Sequence, residues 1–281
     1  MGLAAAVVYG AADFFGGLGA KRTPAVIVTT VAGLAGLVAL LPFLFILPTR
    51  WSAEALLWGG LSGITGAGSV LMLYAALAIG PMSILSPLTA VLSAIVPMTW
   101  GLLSGERLSP PASIAIVGVL VAVVLVGFVP EKGAVRPKLR GLLYGIGAGV
   151  LIGVFFIFFD AAPADSGVLP VVANRTVAGG ILWVVVLVLV LRARRRGTVA
   201  FPGLRATMWI IVACGVADAA ANVLLLIGLR LGELSIVSVL VALYPAGTIA
   251  LAAIVLRERI APVQWVGLGL ALVCAALLAV A

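Results

Sequence analysis

The sequence predicts an all-α protein that crosses a membrane with ten transmembrane helices, arranged as two five-helix halves. Hydrophobic residues make up 64% of the 281 positions, and only 17 Lys and Arg and 9 Asp and Glu residues interrupt them. A soluble domain could not keep that much apolar surface from water, so the solvent must be the lipid bilayer. The apolar runs have the length of a membrane-spanning helix, about 20 residues, whereas the strands of a membrane barrel have about ten.

Ten apolar runs lie between breaks of charged, proline or glycine residues. The first run has no basic segment before it and contains Asp13, so we predict a retained span and not a cleaved signal peptide. The predicted domains are a first repeat over residues 1–130, an inter-repeat loop over 131–139 and a second repeat over 140–281. The ten spans cover residues 2–20, 24–47, 53–79, 81–104, 111–130, 140–160, 167–191, 205–229, 233–256 and 262–281.

The segment from Leu77 to Pro110 recurs without a gap, 152 residues later, from Leu229 to Pro262. The repeat includes Glu106, which matches Glu258, and we interpret both as helix-end residues. A repeat with an odd number of spans must lie upside down relative to its partner, and such inverted repeats are typical of secondary transporters. The identities, each matched 152 positions on, are Leu77, Gly80, Ser83, Ile84, Ser86, Leu88, Ala90, Ala94, Glu106, Arg107 and Pro110.

The basic residues lie mostly in the odd-numbered connections between spans. By the positive-inside rule this places those connections in the cytoplasm and both termini outside. The net charge of +8 therefore indicates anchoring near lipid headgroups and not nucleic-acid binding.

Several other functions are disfavoured by the composition. The chain has no His, the commonest metal ligand and general base, so we expect no enzyme, no metal site and no cofactor. Cys214 and Cys274 both fall inside predicted spans, where we expect them to fill apolar space.

Ionisable residues within the spans mark the expected substrate site, because a charge near the centre of a bilayer is costly and usually faces a cavity or a partner. Asp218 lies in the middle of the eighth span with Asn222 at i+4 on the same face, and Asp13 lies in the first span with Tyr9 at i−4. Arg175 lies about two turns into the seventh span. It either pairs with Asp218 or Asp13 to neutralise a buried charge, or contacts substrate. Asn222 either joins helices or contacts substrate.

Prolines and hydroxyls interrupt the fourth and ninth spans. Pro87 and Pro97 lie in the fourth span with Ser86, and Pro245 follows Tyr244 in the ninth. Since proline removes backbone hydrogen bonds, we expect both spans to be kinked or broken, as spans at transporter sites often are. Gly145, Gly149 and Gly153 form a ridge of small residues on the sixth span, which predicts close helix packing.

At these residues the chain resembles the EamA family of the drug/metabolite transporter superfamily. The resemblance is carried by the tracts from Tyr74 to Pro110 and from Ile227 to Gly267, by Tyr9 with Gly10, and by the acid at Asp13. It implies ten helices in inverted repeats, with spans 1, 3, 4, 6, 8 and 9 around a central cavity. Arg175 on span 7 would be a gate or a structural tie. Relatives usually have both termini in the cytoplasm, opposite to the charge distribution of this chain.

The favoured hypothesis is a secondary transporter, an exporter of a small polar metabolite such as an amino acid, in the bacterial inner membrane. Its expected partners are the lipid bilayer and a small-molecule substrate, with protons as the candidate coupling ion and a homodimer as the candidate assembly. The alternative is a lipid-handling protein, for instance a flippase of a lipid-linked intermediate, which would need a groove open to the bilayer. The predicted substrate-binding or coupling residues are Tyr9, Asp13, Tyr74, Ser86, Arg175, Asp218, Asn222 and Tyr244.

Overall fold

The computed structural model describes residues 1–46, 49–79, 82–127, 138–195, 204–257 and 259–280. These residues form helices and connecting turns, without a strand, which confirms the all-α prediction. The helices are α1 (Gly2–Ala20), α2 (Ala25–Leu40), α3 (Phe43–Ile46), α4 (Ala53–Leu77), α5 (Met82–Leu103), α6 (Pro110–Gly127), α7 (Leu139–Asp160), α8 (Leu169–Arg195), α9 (Leu204–Leu231), α10 (Leu234–Val241), α11 (Tyr244–Val255) and α12 (Pro262–Val280).

The predicted membrane spans correspond to helical segments. Within the described ranges, nine segments are long and apolar enough to cross a membrane, and α12 supplies a shorter apolar segment from Pro262 to Leu278. This confirms the prediction of a multi-pass membrane protein. Most of the predicted inter-repeat loop, residues 131–137, lies outside the described residues, as does Glu258 of the repeated tract.

The sequence predicts a kink or a break in the fourth and ninth spans, and the ninth span is broken. It divides into α10 and α11, and Pro245 lies in the first turn of α11, where its missing N–H costs no helical hydrogen bond. The fourth span continues as the single helix α5 through Pro87 and Pro97, so it is not broken. The second span also divides, into α2 and α3 around Pro42.

The pairs of packed helices repeat between the two halves of the chain. In order along each half, α1 corresponds to α7, α2 to α8 and α4 to α9. The α4–α7 pair therefore corresponds to the α9–α1 pair, and the α4–α8 pair corresponds to the α9–α2 pair. The pairs α2–α8, α5–α10 and α6–α12 each join one half to the equivalent position of the other half. The same kinds of helix pairs thus occur in both parts of the chain, and α6 and α12 pack against each other.

Glycines allow the closest approaches between these helices. A Cβ at Gly215 on α9 would overlap the backbone of Ala32 on α2, and one at Gly63 on α4 would overlap the carbonyl of Asn174 on α8. The predicted ridge of Gly145, Gly149 and Gly153 packs against α5, which confirms its structural role. Small residues at such contacts let helix backbones meet, so that dispersion forces stabilise the bundle in lipid.

Two glycines on α12 provide a test of this packing. A Cβ at Gly267 would lie 2.8 Å from the nitrogen of Val126 on α6, whereas a Cβ at Gly269 would meet nothing within 4 Å. We expect Gly267→Ala to lower the free energy of unfolding by about 1–3 kcal/mol through overpacking, and Gly269→Ala to leave it nearly unchanged. Thermal unfolding of the detergent-solubilised variants measures the difference. Equal melting temperatures would contradict the close α6–α12 approach.

One end of the bundle, which we call the termini face, contains the N-terminus and the connections 49–52, 104–109, 161–168 and 232–233. Arg50 forms an exposed ion pair with Asp165, with 2.9 Å between Nη1 and Oδ2. Arg230 donates through Nη2 to the hydroxyl of Ser166 at 3.0 Å. At the opposite end, the hydroxyls of Thr23 and Thr207 lie 3.0 Å apart. An ion pair and a charged hydrogen bond thus join segments at the termini face.

Candidate functional site

The ionisable residues predicted within the spans come together from helices of both halves. Asp13 lies on α1, Arg175 on α8, and Asp218 on α9. The charges of all three residues act on the phenol of Tyr9, which shows that they surround one common region. We call Tyr9, Asp13, Arg175 and Asp218 the central cluster.

Arg175 forms an ion pair with Asp218 through its Nη2 and the carboxylate Oδ2. Their side chains are 12% and 32% exposed, so the arginine is the more deeply buried partner. The Nε of Arg175 is buried and has no hydrogen-bond partner among the described residues. The sequence left two acids open as partners for Arg175, and the packing of α8 and α9 selects Asp218. The cation is therefore neutralised by a residue of its own half.

Asn222 follows Asp218 by one helical turn and is buried. Its amide Nδ2 donates to the backbone carbonyl of Asp218 at 2.8 Å, so this end of the side chain is bound to its own helix. Its Oδ1 is buried and accepts no hydrogen bond within the described chain. Cys214 lies one turn before Asp218, and the charges of Asp218, Asp13 and Arg175 act on it. Its i−4 spacing from Asp218 was the sequence signal for a place near the cluster, which our prediction of an apolar filler missed.

Asp13 is exposed even though helices surround it. No cation of the described chain lies within ion-pair distance of Asp13, and the charge that acts on it is that of Asp218. Its own charge acts on Tyr9 of α1, Tyr74 of α4 and Tyr244 of α11. The Asp13 side chain is thus accessible to solvent and lies near tyrosines of α1, α4 and α11.

The tyrosines are held by contacts between helices. The hydroxyl of Tyr74 hydrogen-bonds to that of Thr29 on α2, a residue that could not be singled out from the sequence. Tyr244 starts α11, where a Cβ at Gly10 would lie 2.7 Å from its carbonyl oxygen. The hydroxyl of Thr248 donates to the carbonyl of Gly10 at 3.2 Å and so fixes α11 to α1. The break before Tyr244 thereby places its ring near Asp13.

Ser86 is the one predicted site residue that no hydrogen bond or charge interaction of the described chain joins to the cluster. It lies half-buried on α5, which packs against α7 and α10.

Asn174, beside Arg175, donates through Nδ2 to the hydroxyl of Ser62 at 2.9 Å and joins α8 to α4. No group of three Cys, Asp or Glu side chains that could hold a metal ion occurs in the described ranges.

Arg175 also lines a groove on the outer surface between α2 and α8. The groove has a volume of about 130 Å³, and its walls are mostly apolar. Leu34 and Trp183, two of its lining residues, are exposed on the side that would meet lipid. Arg175 therefore pairs with Asp218 in the central cluster and also lines this lateral groove.

With this geometry established, comparison with known proteins identifies the family. The EamA-like transporter family matches residues 139–280, about half of the chain. The chain belongs to this family. As an EamA-like protein it is an integral multi-pass membrane protein of the drug/metabolite transporter superfamily, whose members are transporters and not enzymes.

A solved structure supports the fold over nearly the full length of the EamA-like chain. It is described only as a crystal structure of a protein, and it superposes with a TM-score of 0.73 at 17% sequence identity. The match covers 98% of this chain and 94% of the other. No curated protein matches the sequence. The similarity therefore extends to the fold and the family, and the substrate must be inferred from the site.

Proposed function

We propose that this protein is a secondary transporter that exports a small polar metabolite, such as an amino acid, across the bacterial inner membrane, with protons as the coupling ion. The main observation behind this proposal is that Asp13, Arg175 and Asp218 lie near one another within membrane-spanning helices of both halves. Charges in lipid are costly, and such residues commonly line substrate or proton pathways. A fixed site between two halves is what alternating access requires.

We further propose that residues 1–130 and 140–281 are inverted repeats that rock against each other. Five crossings in each half would leave the second half upside down relative to the first. The exchange of α4–α7 for α1–α9 and of α4–α8 for α2–α9 supports this arrangement. The EamA-like match begins at residue 139, where the proposed second half starts.

The cluster divides the proposed roles between two acids. Asp218 is neutralised by Arg175, whereas Asp13 has no cation within ion-pair distance in the described chain. Asp13 is therefore the proposed contact for a substrate ammonium or a proton, and the free Oδ1 of Asn222 is a further acceptor. Tyr9, Tyr74 and Tyr244 form the wall, where their rings can pack against a cation. Arg175 would bind a substrate carboxylate only by releasing Asp218, and Ser86 is a more distant contact.

Metabolite profiling tests this function without a prior choice of substrate. Cells that overexpress the protein should accumulate a small amine or amino acid in the medium relative to cells without it. The purified protein in vesicles should then exchange the labelled compound with its unlabelled form. Because Arg175 is already paired with Asp218, we expect amines without a carboxylate to compete for transport better than the matching amino acids. An unchanged metabolite profile, or the absence of exchange for every compound that is released, would remove the proposal.

The groove between α2 and α8 favours a second candidate, a lipid-handling protein. It connects the lipid-facing surface with Arg175, a cation that suits an acidic headgroup. A flippase would move fluorescent lipids between the leaflets of vesicles, whereas the proposed exporter would not. Lipid movement that depends on the protein, without exchange of water-soluble amines, would favour this second candidate.

A further inference from the structure

Glu106, in the turn after α5, binds the start of the broken ninth span. Its Oε1 accepts a hydrogen bond from the backbone N–H of Leu234 at 2.7 Å, and its Oε2 accepts one from the N–H of Ser235 at 3.0 Å. The donors lie 128 and 129 residues further along the chain. A side chain of the first half thus holds the N-terminus of a helix of the second half.

This contact replaces the usual capping of a helix. The first N–H groups of a helix have no partner within it and carry a partial positive charge, which a carboxylate satisfies with charge-assisted hydrogen bonds. The residue at the cap position of α10 is Glu233, and its side chain makes no capping hydrogen bond. The cap of α10 is therefore supplied by Glu106 across the interface.

Two further features bring α5 and α10 together at the same place. The hydroxyl of Ser235 donates to the carbonyl of Met98 on α5 at 3.1 Å. A Cβ at Gly101 would lie 2.6 Å from that hydroxyl and would also overlap the carboxylate of Glu106, so the approach requires glycine. We call the contacts of Glu106, Met98 and Gly101 with Leu234 and Ser235 the latch. It lies at the termini face.

The two parts of the ninth span differ in packing. Most residues of α10, beside the latch, are buried, whereas no residue of α11 is buried. The start of the span is thus deeply buried at the termini face, whereas α11 packs against α1 and remains partly exposed beyond the break.

We propose that Glu106 gates transport: the termini face opens only when its carboxylate releases the N–H groups of Leu234 and Ser235. The inference rests on the proposed alternating access, and it assigns to Glu106 a function beyond the helix-end role that its sequence suggests. Since each hydrogen bond to the carboxylate favours the closed conformation, weakening them shifts the population toward the open one. Glu106 does not touch the central cluster, so it would control access and not substrate recognition.

A cysteine reporter tests the gate without any substrate. Ser238 lies one turn further along α10 and is fully buried, and its hydroxyl donates to the carbonyl of Ser235 in its own helix. We would introduce Ser238→Cys into a protein with Cys214→Ala and Cys274→Ala, and measure its rate of labelling by a water-soluble maleimide in detergent. Glu106→Ala should raise this rate about tenfold or more, the effect expected from losing hydrogen bonds to a charged group. Glu106→Gln, which keeps one acceptor oxygen, should give an intermediate rate.

Glu233→Gln is the matched control, because it removes the same charge at the same helix end without removing a hydrogen bond. We expect it to leave the labelling rate unchanged. Melting temperatures within a few degrees of the parent show that faster labelling reflects opening and not unfolding. Unchanged rates in both Glu106 variants, or an equal rise with Glu233→Gln, would overturn the gate. Labelling that responds as expected in a protein that moves no substrate would keep the gate and remove the proposed function.

Discussion

Arg175→Met is expected to abolish transport and to lower the free energy of unfolding by about 2–3 kcal/mol. The substitution leaves Asp218 charged without its partner, and breaking a fully buried pair usually costs more. The smaller value is expected here because 32% of the Asp218 side chain is accessible to solvent. Transport in reconstituted vesicles and thermal unfolding in detergent measure the two effects.

The double variant Arg175→Met with Asp218→Asn separates stability from function. It removes both charges, so we expect it to regain at least half of the lost stability while remaining inactive. The control is Arg50→Met, which breaks the exposed pair with Asp165 at the termini face and should cost less than about 1 kcal/mol. A double variant no more stable than Arg175→Met would show that the pair does not hold α8 against α9.

The membrane spans could be predicted from the sequence because hydrophobicity and length are local properties. The polar residues of the site were also visible, since Asp13 and Asp218 stand out in apolar runs. The pairing of Arg175 was not predictable. Two acids were available to it, and the choice depends on where α9 packs on α2 and where α8 packs on α4, contacts that Gly215 and Gly63 allow.

The latch was missed for a different physical reason. Glu106 appeared in the sequence as a charged helix end beside Arg107, and its structural partners are two backbone N–H groups on α10. Every residue except proline carries such a group, so residue types alone gave no signal of this contact. The fourth span contains two prolines and remains one helix, whereas the ninth span breaks before Pro245. Contacts to backbone groups, and contacts that depend on how the helices pack, thus could not be predicted from the sequence.

Asp13→Asn is expected to abolish substrate accumulation driven by a proton gradient while leaving exchange without a gradient, at an affinity reduced about tenfold. The accumulation is lost because an asparagine side chain cannot take up and release a proton near neutral pH. The weaker binding follows because the substrate ammonium loses its ion pair with a carboxylate and keeps only a hydrogen bond to a neutral amide. Accumulation and exchange of the identified substrate in the same vesicles provide the two measurements. Glu54→Gln, an exposed acid in the first turn of α4, is the control.

The coupling is assigned to Asp13 and not to Asp218 because of what protonation would leave behind. A proton on Asp218 would strand the buried charge of Arg175, which has no other acid within ion-pair distance in the described chain. A proton on Asp13 leaves no buried cation of the described chain without its partner. It also lowers the repulsion between the carboxylates of Asp13 and Asp218. A substrate ammonium would neutralise Asp13 equally well, so proton and substrate would exclude each other at this residue, as an exchange mechanism requires. Proton-driven accumulation by Asp13→Asn at the parent rate, with unchanged pH dependence, would remove Asp13 from the mechanism.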